Sequence, residues 1–195
     1  MESPLSNHVL LFACFLIIFL SSSPTPADAR ASPLVRSVCK ATRDSFGQNY
    51  TLCVKTLWSD ARIQSLVASN DLKELAINIL EVAAETAKDA QELLNSYQPM
   101  IKSSKETKAI QQCAQSYGSV ASCFRGTQDE VKEEDTMANY TVARVSDDIG
   151  VCEKALSSDG VKLPATISTR LQLVKLYNNI GYTITIQLLG IWLHH

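Results

Sequence analysis

The chain has 195 residues, 46% of them hydrophobic, with 18 Lys and Arg against 20 Asp and Glu, for a net charge of −2. That balance leaves no basic surface for a phosphate backbone, so nucleic acid is excluded as a partner. The only histidines are His8, His194 and His195; a body without histidine excludes Ser-His-Asp and Cys-His nucleophile systems and disfavours structural zinc.

Residues 1–29 read as a secretory signal peptide. The apolar run from Val9 to Leu20 is short for a bilayer span, which takes about 20 residues. It is followed by "SSSPTPADA", in which Ala27 and Ala29 form an A-x-A cleavage pattern, although no Lys or Arg precedes the run. Cleavage leaves residues 30–195 as one domain with no further membrane span. Glu2 and Asp28 depart with the leader, and the remainder is neutral.

The next segment, about residues 32–58, is expected to be a helical hairpin. Ser32 is a candidate N-cap with Pro33 at the first helical position. Gly47 breaks the chain before a second short helix from Asn49 to Leu57. Cys39 and Cys53 face each other across this turn. The bundle proper is expected over about residues 70–191. Asn70 and Asp71 start a helix whose apolar positions, Leu72, Leu75, Ile79, Ala83, Ala87, Ala90, Leu94 and Tyr97, recur at steps of three and four. Pro99 ends it.

A second bundle helix starts near Ser104 and runs to about Val131. It carries Ile110, Cys113, Tyr117 and Val120 on one row. A third begins near Asp135, with Met137, Tyr140, Val145, Ile149, Cys152 and Leu156 in phase. The last runs from about Thr166 or Ser168 to Leu189. Within it "GYTITIQLL" alternates as a strand would, but no second strand is available to pair with it, and it is read as helix. The fold class is therefore all-α, an up-down four-helix bundle preceded by a helical hairpin.

Without Cys14, five cysteines remain, which suggests two disulfides and one spare thiol in an oxidising compartment. Cys113 and Cys123 lie on one helix, roughly 15 Å apart along its axis. A disulfide needs Cα atoms within about 7 Å, so they cannot bridge each other. Cys39 pairs with Cys53 across the hairpin. Cys152 is left with Cys113 or Cys123, and the core-facing row favours Cys113, leaving Cys123 as the free thiol.

Catalytic machinery is missing. There is no C-x-x-C, G-x-S-x-G, Walker A or G-x-G-x-x-G pattern, no metal site or cofactor is implied, and the chain is not expected to be an enzyme. "DEVKEED", from Asp129 to Asp135, reads as a solvated helix end, and Asp147-Asp148 lacks the ligand spacing of a calcium loop. Asn49 and Asn139 head N-x-T sequons, which are N-glycosylation candidates in a secreted chain.

The order of these features resembles the plant invertase inhibitor and pectin methylesterase inhibitor family. The likeness rests on the cysteine hairpin "VCKAT…NYTLCVKTLWSD", the helix "LKELAINILEVAAETA", "CAQSYGSVASCF" and "ANYTVARVSDDIGVCEKAL". The longer gap between Cys39 and Cys53 is similar to the pollen-allergen-like branch called invertase inhibitors. The resemblance implies the same disulfides, Cys39–Cys53 and Cys113–Cys152. It also implies a secreted, non-catalytic protein of the apoplast, cell wall or vacuole that blocks the cleft of a carbohydrate enzyme, one to one.

In the invertase branch a Pro-Lys-Phe segment enters the sucrose pocket. Its positions fall here on Asp135, Thr136 and Met137, which offer neither the cation nor the aromatic ring. Val151 stands where the family often has Thr before the later cysteine. The expected partner is thus pectin methylesterase, with acid invertase (β-fructofuranosidase) as the alternative. A further alternative is a secreted helical protein with no enzyme target, acting as a ligand carrier or a pollen structural protein.

Overall fold

The computed structural model describes residues 30–192, all helices and connections in that range. The expected signal peptide, residues 1–29, lies outside the described residues, as do His194 and His195.

The hairpin is built by local capping. Helix α1 (Pro33–Phe46) begins where the Ser32 hydroxyl accepts the Val35 N–H at 3.2 Å, with Pro33 in the first turn. It ends at Gly47, whose φ of 65° places it in the left-handed region that L side chains resist. Asn49 caps α2 (Tyr50–Trp58) by accepting the Leu52 N–H at 2.8 Å. Cys39 and Cys53 are joined with Cα atoms 5.7 Å apart, and neither is exposed. A five-residue helix, α3 (Ala61–Ser65), then leads towards the bundle under an Asp60 cap.

Four long segments form the bundle. Asp71 starts α4 (Leu72–Tyr97) by accepting the N–H groups of Lys73 and Glu74. A 3₁₀ turn over Gln98–Met100, containing Pro99, ends that run. Ser103 caps α5 (Ser104–Glu133). The third segment is divided into α6 (Ala138–Ala143) and α7 (Val145–Ser158), and α8 (Ala165–Trp192) closes the bundle.

The division of the third segment departs from the single helix expected from Asp135. Its buried positions are Ala138, Val142, Val145, Ile149 and Cys152. Met137 and Tyr140 are instead 49% and 59% exposed. The inner face of α6 is thus made by a small and a β-branched residue, while Tyr140 on α6 and Met137 just before it point to solvent.

Helix α5 packs along both α4 and α7, and α4 packs along α8. The α7–α8 side has few close approaches and is closed instead by polar bridges. Asn178 Nδ2 donates to Ser146 Oγ at 2.8 Å, and Lys175 Nζ lies 2.9 Å from a Glu153 carboxylate oxygen. Helix α1 lies against α8, adding a layer to the bundle. The disulfide from Cys113 to Cys152 ties α5 to α7, with Cα atoms 4.3 Å apart. The core is continuous from the hairpin through the bundle and includes Leu57, Leu80, Tyr117, Phe124 and Ile180.

Candidate functional site

The turn between α5 and α6 holds the segment Asp135-Thr136-Met137. Glu134 just before it has φ 58° and ψ 31°, the only non-glycine residue with positive φ among those described. The Asp135 N–H donates to the Glu130 carbonyl at 2.8 Å and the Glu134 N–H to the Val131 carbonyl at 3.3 Å. These are the two bonds of a Schellman motif, here with Glu where glycine is usual. Lys73 of α4 reaches across to Glu134, Nζ to Oε1 at 2.7 Å, and fixes the turn to the neighbouring helix.

Asp135 then starts the next element. Its Oδ1 accepts the Met137 N–H at 2.9 Å, and its carbonyl accepts the Ala138 N–H at 3.2 Å. Glu130 accepts the Thr141 hydroxyl at 2.8 Å, joining the end of α5 to α6. Thr136, Met137 and Tyr140 stay exposed on this fixed frame. The chemistry on offer is an apolar and hydroxyl-bearing ridge beside the carboxylates of Asp129, Glu133 and Glu134. Such an exposed ridge on a fixed frame suits contact with another macromolecule.

The other candidate residues fall elsewhere. Asn49 is exposed on the hairpin, and its Oδ1 serves as the α2 cap. Asn139 lies in α6, half-buried, immediately after the Asp135–Met137 segment, so these two candidates share one connection. Cys123 is free and half-buried on α5. Burial pushes its thiol up, the Asp148 carboxylate adds to that, and Arg144 opposes it; it is a poor thiolate. Among the described residues no group of His, Cys, Asp and Glu could hold a metal ion, and no helix is long and apolar enough to cross a membrane.

Sequence reasoning missed one structural device here. Arg62 of α3 makes a forked contact with Glu85 of α4, at 3.0 and 2.7 Å, and also holds Asp60. The signal was the Asp60 cap beside an arginine, but its acidic partner lies far along the chain and no local pattern links them.

The family model for plant invertase/pectin methylesterase inhibitors matches residues 33–182. The chain belongs to that family. The match runs from the first residue of α1 into α8, and so takes in the hairpin, both disulfides and the Asp135–Met137 turn. A crystal structure of a pectin methylesterase inhibitor from Arabidopsis thaliana superimposes with a TM-score of 0.57 at 19% identity, covering 79% of this chain and 95% of that one. At that identity the likeness is one of fold. No curated protein sequence is detectably similar to the chain. As a plant invertase/pectin methylesterase inhibitor family member, the chain sits among inhibitors of protein enzymes, and its surface is where function is to be sought.

Proposed function

We propose that the chain is a secreted, non-catalytic inhibitor of a plant cell-wall pectin methylesterase. In this reading, cleavage near Ala29 releases residues 30–195 to the apoplast, and the bundle surface covers the enzyme's cleft one to one. The observation that carries it is the family match over residues 33–182, joined to the content of the α5–α6 turn. Where invertase inhibitors of the family present Pro-Lys-Phe, this chain presents Asp135-Thr136-Met137, with no cation for a sugar pocket. Asp135, Thr136 and Met137, with Tyr140 exposed beside them, are the proposed contact segment, and Asn49 and Asn139 are proposed glycan acceptors.

The experiment compares two enzymes. Purified oxidised protein is mixed with plant pectin methylesterase at apoplastic pH and methanol release is followed, with sucrose cleavage by acid invertase in parallel. The expected result is saturable loss of methanol release at a one-to-one ratio, with sucrose cleavage unchanged. The reverse pattern would transfer the assignment to invertase, and no effect on either would remove the inhibitor reading. Met137→Asp should weaken inhibition about tenfold or more, as burying an unpaired charge at an interface does.

A further inference from the structure

The thinly packed α7–α8 side opens at one end into a cavity of about 250 Å³. Its walls are aliphatic, supplied by Leu156, Val161, Leu163 and Leu171, and Tyr117 of α5 lies against it from the core side. Tyr117 is only 2% exposed; its hydroxyl has no hydrogen-bond partner among the described residues and keeps a little accessible area rather than being sealed. A buried phenol normally finds one.

The nearby polar groups do not supply it. Glu153 at the rim is held by Lys175, Ser168 Oγ donates to the Ala165 carbonyl at 3.1 Å, and Gln172 is exposed at the mouth. Burial, with the Glu153 charge adding to it, pushes the Tyr117 phenol up, so the group is a neutral O–H donor across the physiological range.

We propose that this cavity binds a small neutral amphiphile, an apolar ring or short chain carrying one hydroxyl, with that hydroxyl paired to the Tyr117 phenol. The volume lies just below the range of drug-sized pockets, about 300–1,000 Å³, and admits a body of roughly ten heavy atoms. Charged ligands are disfavoured because the Glu153–Lys175 pair leaves the rim neutral: a cation would compete with Lys175 and an anion would meet Glu153. The Tyr117 hydroxyl leaves a hydrogen bond for an occupant to make, and the leucines leave apolar area for it to cover. A molecule that covers the leucines and meets the phenol satisfies both at once. The site shares no lining residue with the Asp135–Met137 turn and does not depend on the inhibitor reading.

The test is a titration of ¹⁵N-labelled, oxidised residues 30–195 with 2-phenylethanol, followed by two-dimensional NMR. Saturable shifts are expected, confined to the amides of residues 153–172 and those around Tyr117. Tyr117→Phe should weaken binding about five- to tenfold, as should replacing the probe by ethylbenzene, while Val161→Trp should fill the cavity and abolish it. Thermal unfolding of each variant checks its fold, and Val161→Trp decides the matter if Tyr117→Phe is not folded. Absence of saturable shifts, shifts spread over the whole chain, Tyr117→Phe binding as tightly as the parent, or Val161→Trp retaining binding would each overturn the proposal.

Discussion

Asp60 caps α3 through the Arg62 N–H and binds the Arg62 guanidinium, which in turn holds Glu85 of α4. The hydrogen-bonded Arg62 side chain keeps its carboxyl below the ordinary value of 3.8, against a burial effect that opposes it. A carboxylate lowered in the folded state contributes stability that is fully present above the unfolded value and is lost as the pH falls through the folded one. Asp60→Asn retains capping ability but removes the charge and the second oxygen, which accepts from the Arg62 guanidinium. It should cost about 1 kcal/mol at pH 7, discounted for an Arg62 side chain that is 33% exposed. The gap between variant and parent should close as the pH falls below about 3.8, read from urea unfolding at pH 7 and at successively lower pH. An undiminished gap in acid would show that the effect is not ionic. At this same scale the Asp135–Met137 turn was legible only in part: Asp135 is a recognisable capping residue, whereas left-handed Glu134 is invisible, because glycine is the usual marker of that conformation.

The helices were largely legible because their ends carry capping chemistry and their faces carry period. Ser32 with Pro33, Asp71 and Pro99 all act at the boundaries where their residue types predict. The alternating stretch "GYTITIQLL" is helical, and its threonines are accommodated there by turning their hydroxyls onto helix carbonyls: Thr183 donates to Asn179 at 2.8 Å and Thr185 to Tyr182 at 3.0 Å. This satisfies them in a core without a second strand. The face of α6 was misjudged because size was read as burial, and the inward residues, Ala138 and Val142, are smaller than the outward Tyr140. Helix α3 was missed because five residues carry no periodic signal.

Two glycines test the packing of these elements in opposite directions. A Cβ on Gly181 would meet Val142 Cγ2 at 3.2 Å and Leu80 Cδ2 at 3.4 Å, where α4, α6 and α8 come together. Gly181→Leu should therefore destabilise by about 2–3 kcal/mol. At Gly118 the nearest atom is the tip of the flexible Gln91 side chain, at 2.6 Å. That tip can swing away, so Gly118→Ala should stabilise by about 0.5–1 kcal/mol through helix propensity. Thermal unfolding of the two variants reads both signs.

For the molecule as a whole, the two disulfides close loops of unequal length, with sequence separations of 14 and 39 residues. If their effect acts chiefly on the unfolded chain, the longer loop should contribute more, by about 1 kcal/mol. Paired Cys→Ser variants of each bridge, compared by urea midpoint, measure this directly; equal losses would place the effect in native packing instead. The fold class was legible at this scale because four amphipathic stripes with short connections leave few arrangements. The thin α7–α8 side was not, since a helix stripe tells what is buried but not how closely two helices approach.

The placement of the two bridges has a consequence for the order in which the chain can be completed. The first loop ends at Cys53 and the second at Cys152, so they follow one another without overlap, and neither encloses any part of α4 or α8. A chain entering an oxidising compartment amino end first can fasten each clasp as soon as its second cysteine arrives. No segment has to thread a closed ring, and either clasp can shut before the other. Helix α8 comes after both, and it alone brings Ile180, Ile184 and Leu188 to the centre. A chain halted before α8 would thus have both clasps shut and still lack one wall of its core, so correct pairing of the cysteines is no certificate that the molecule is finished.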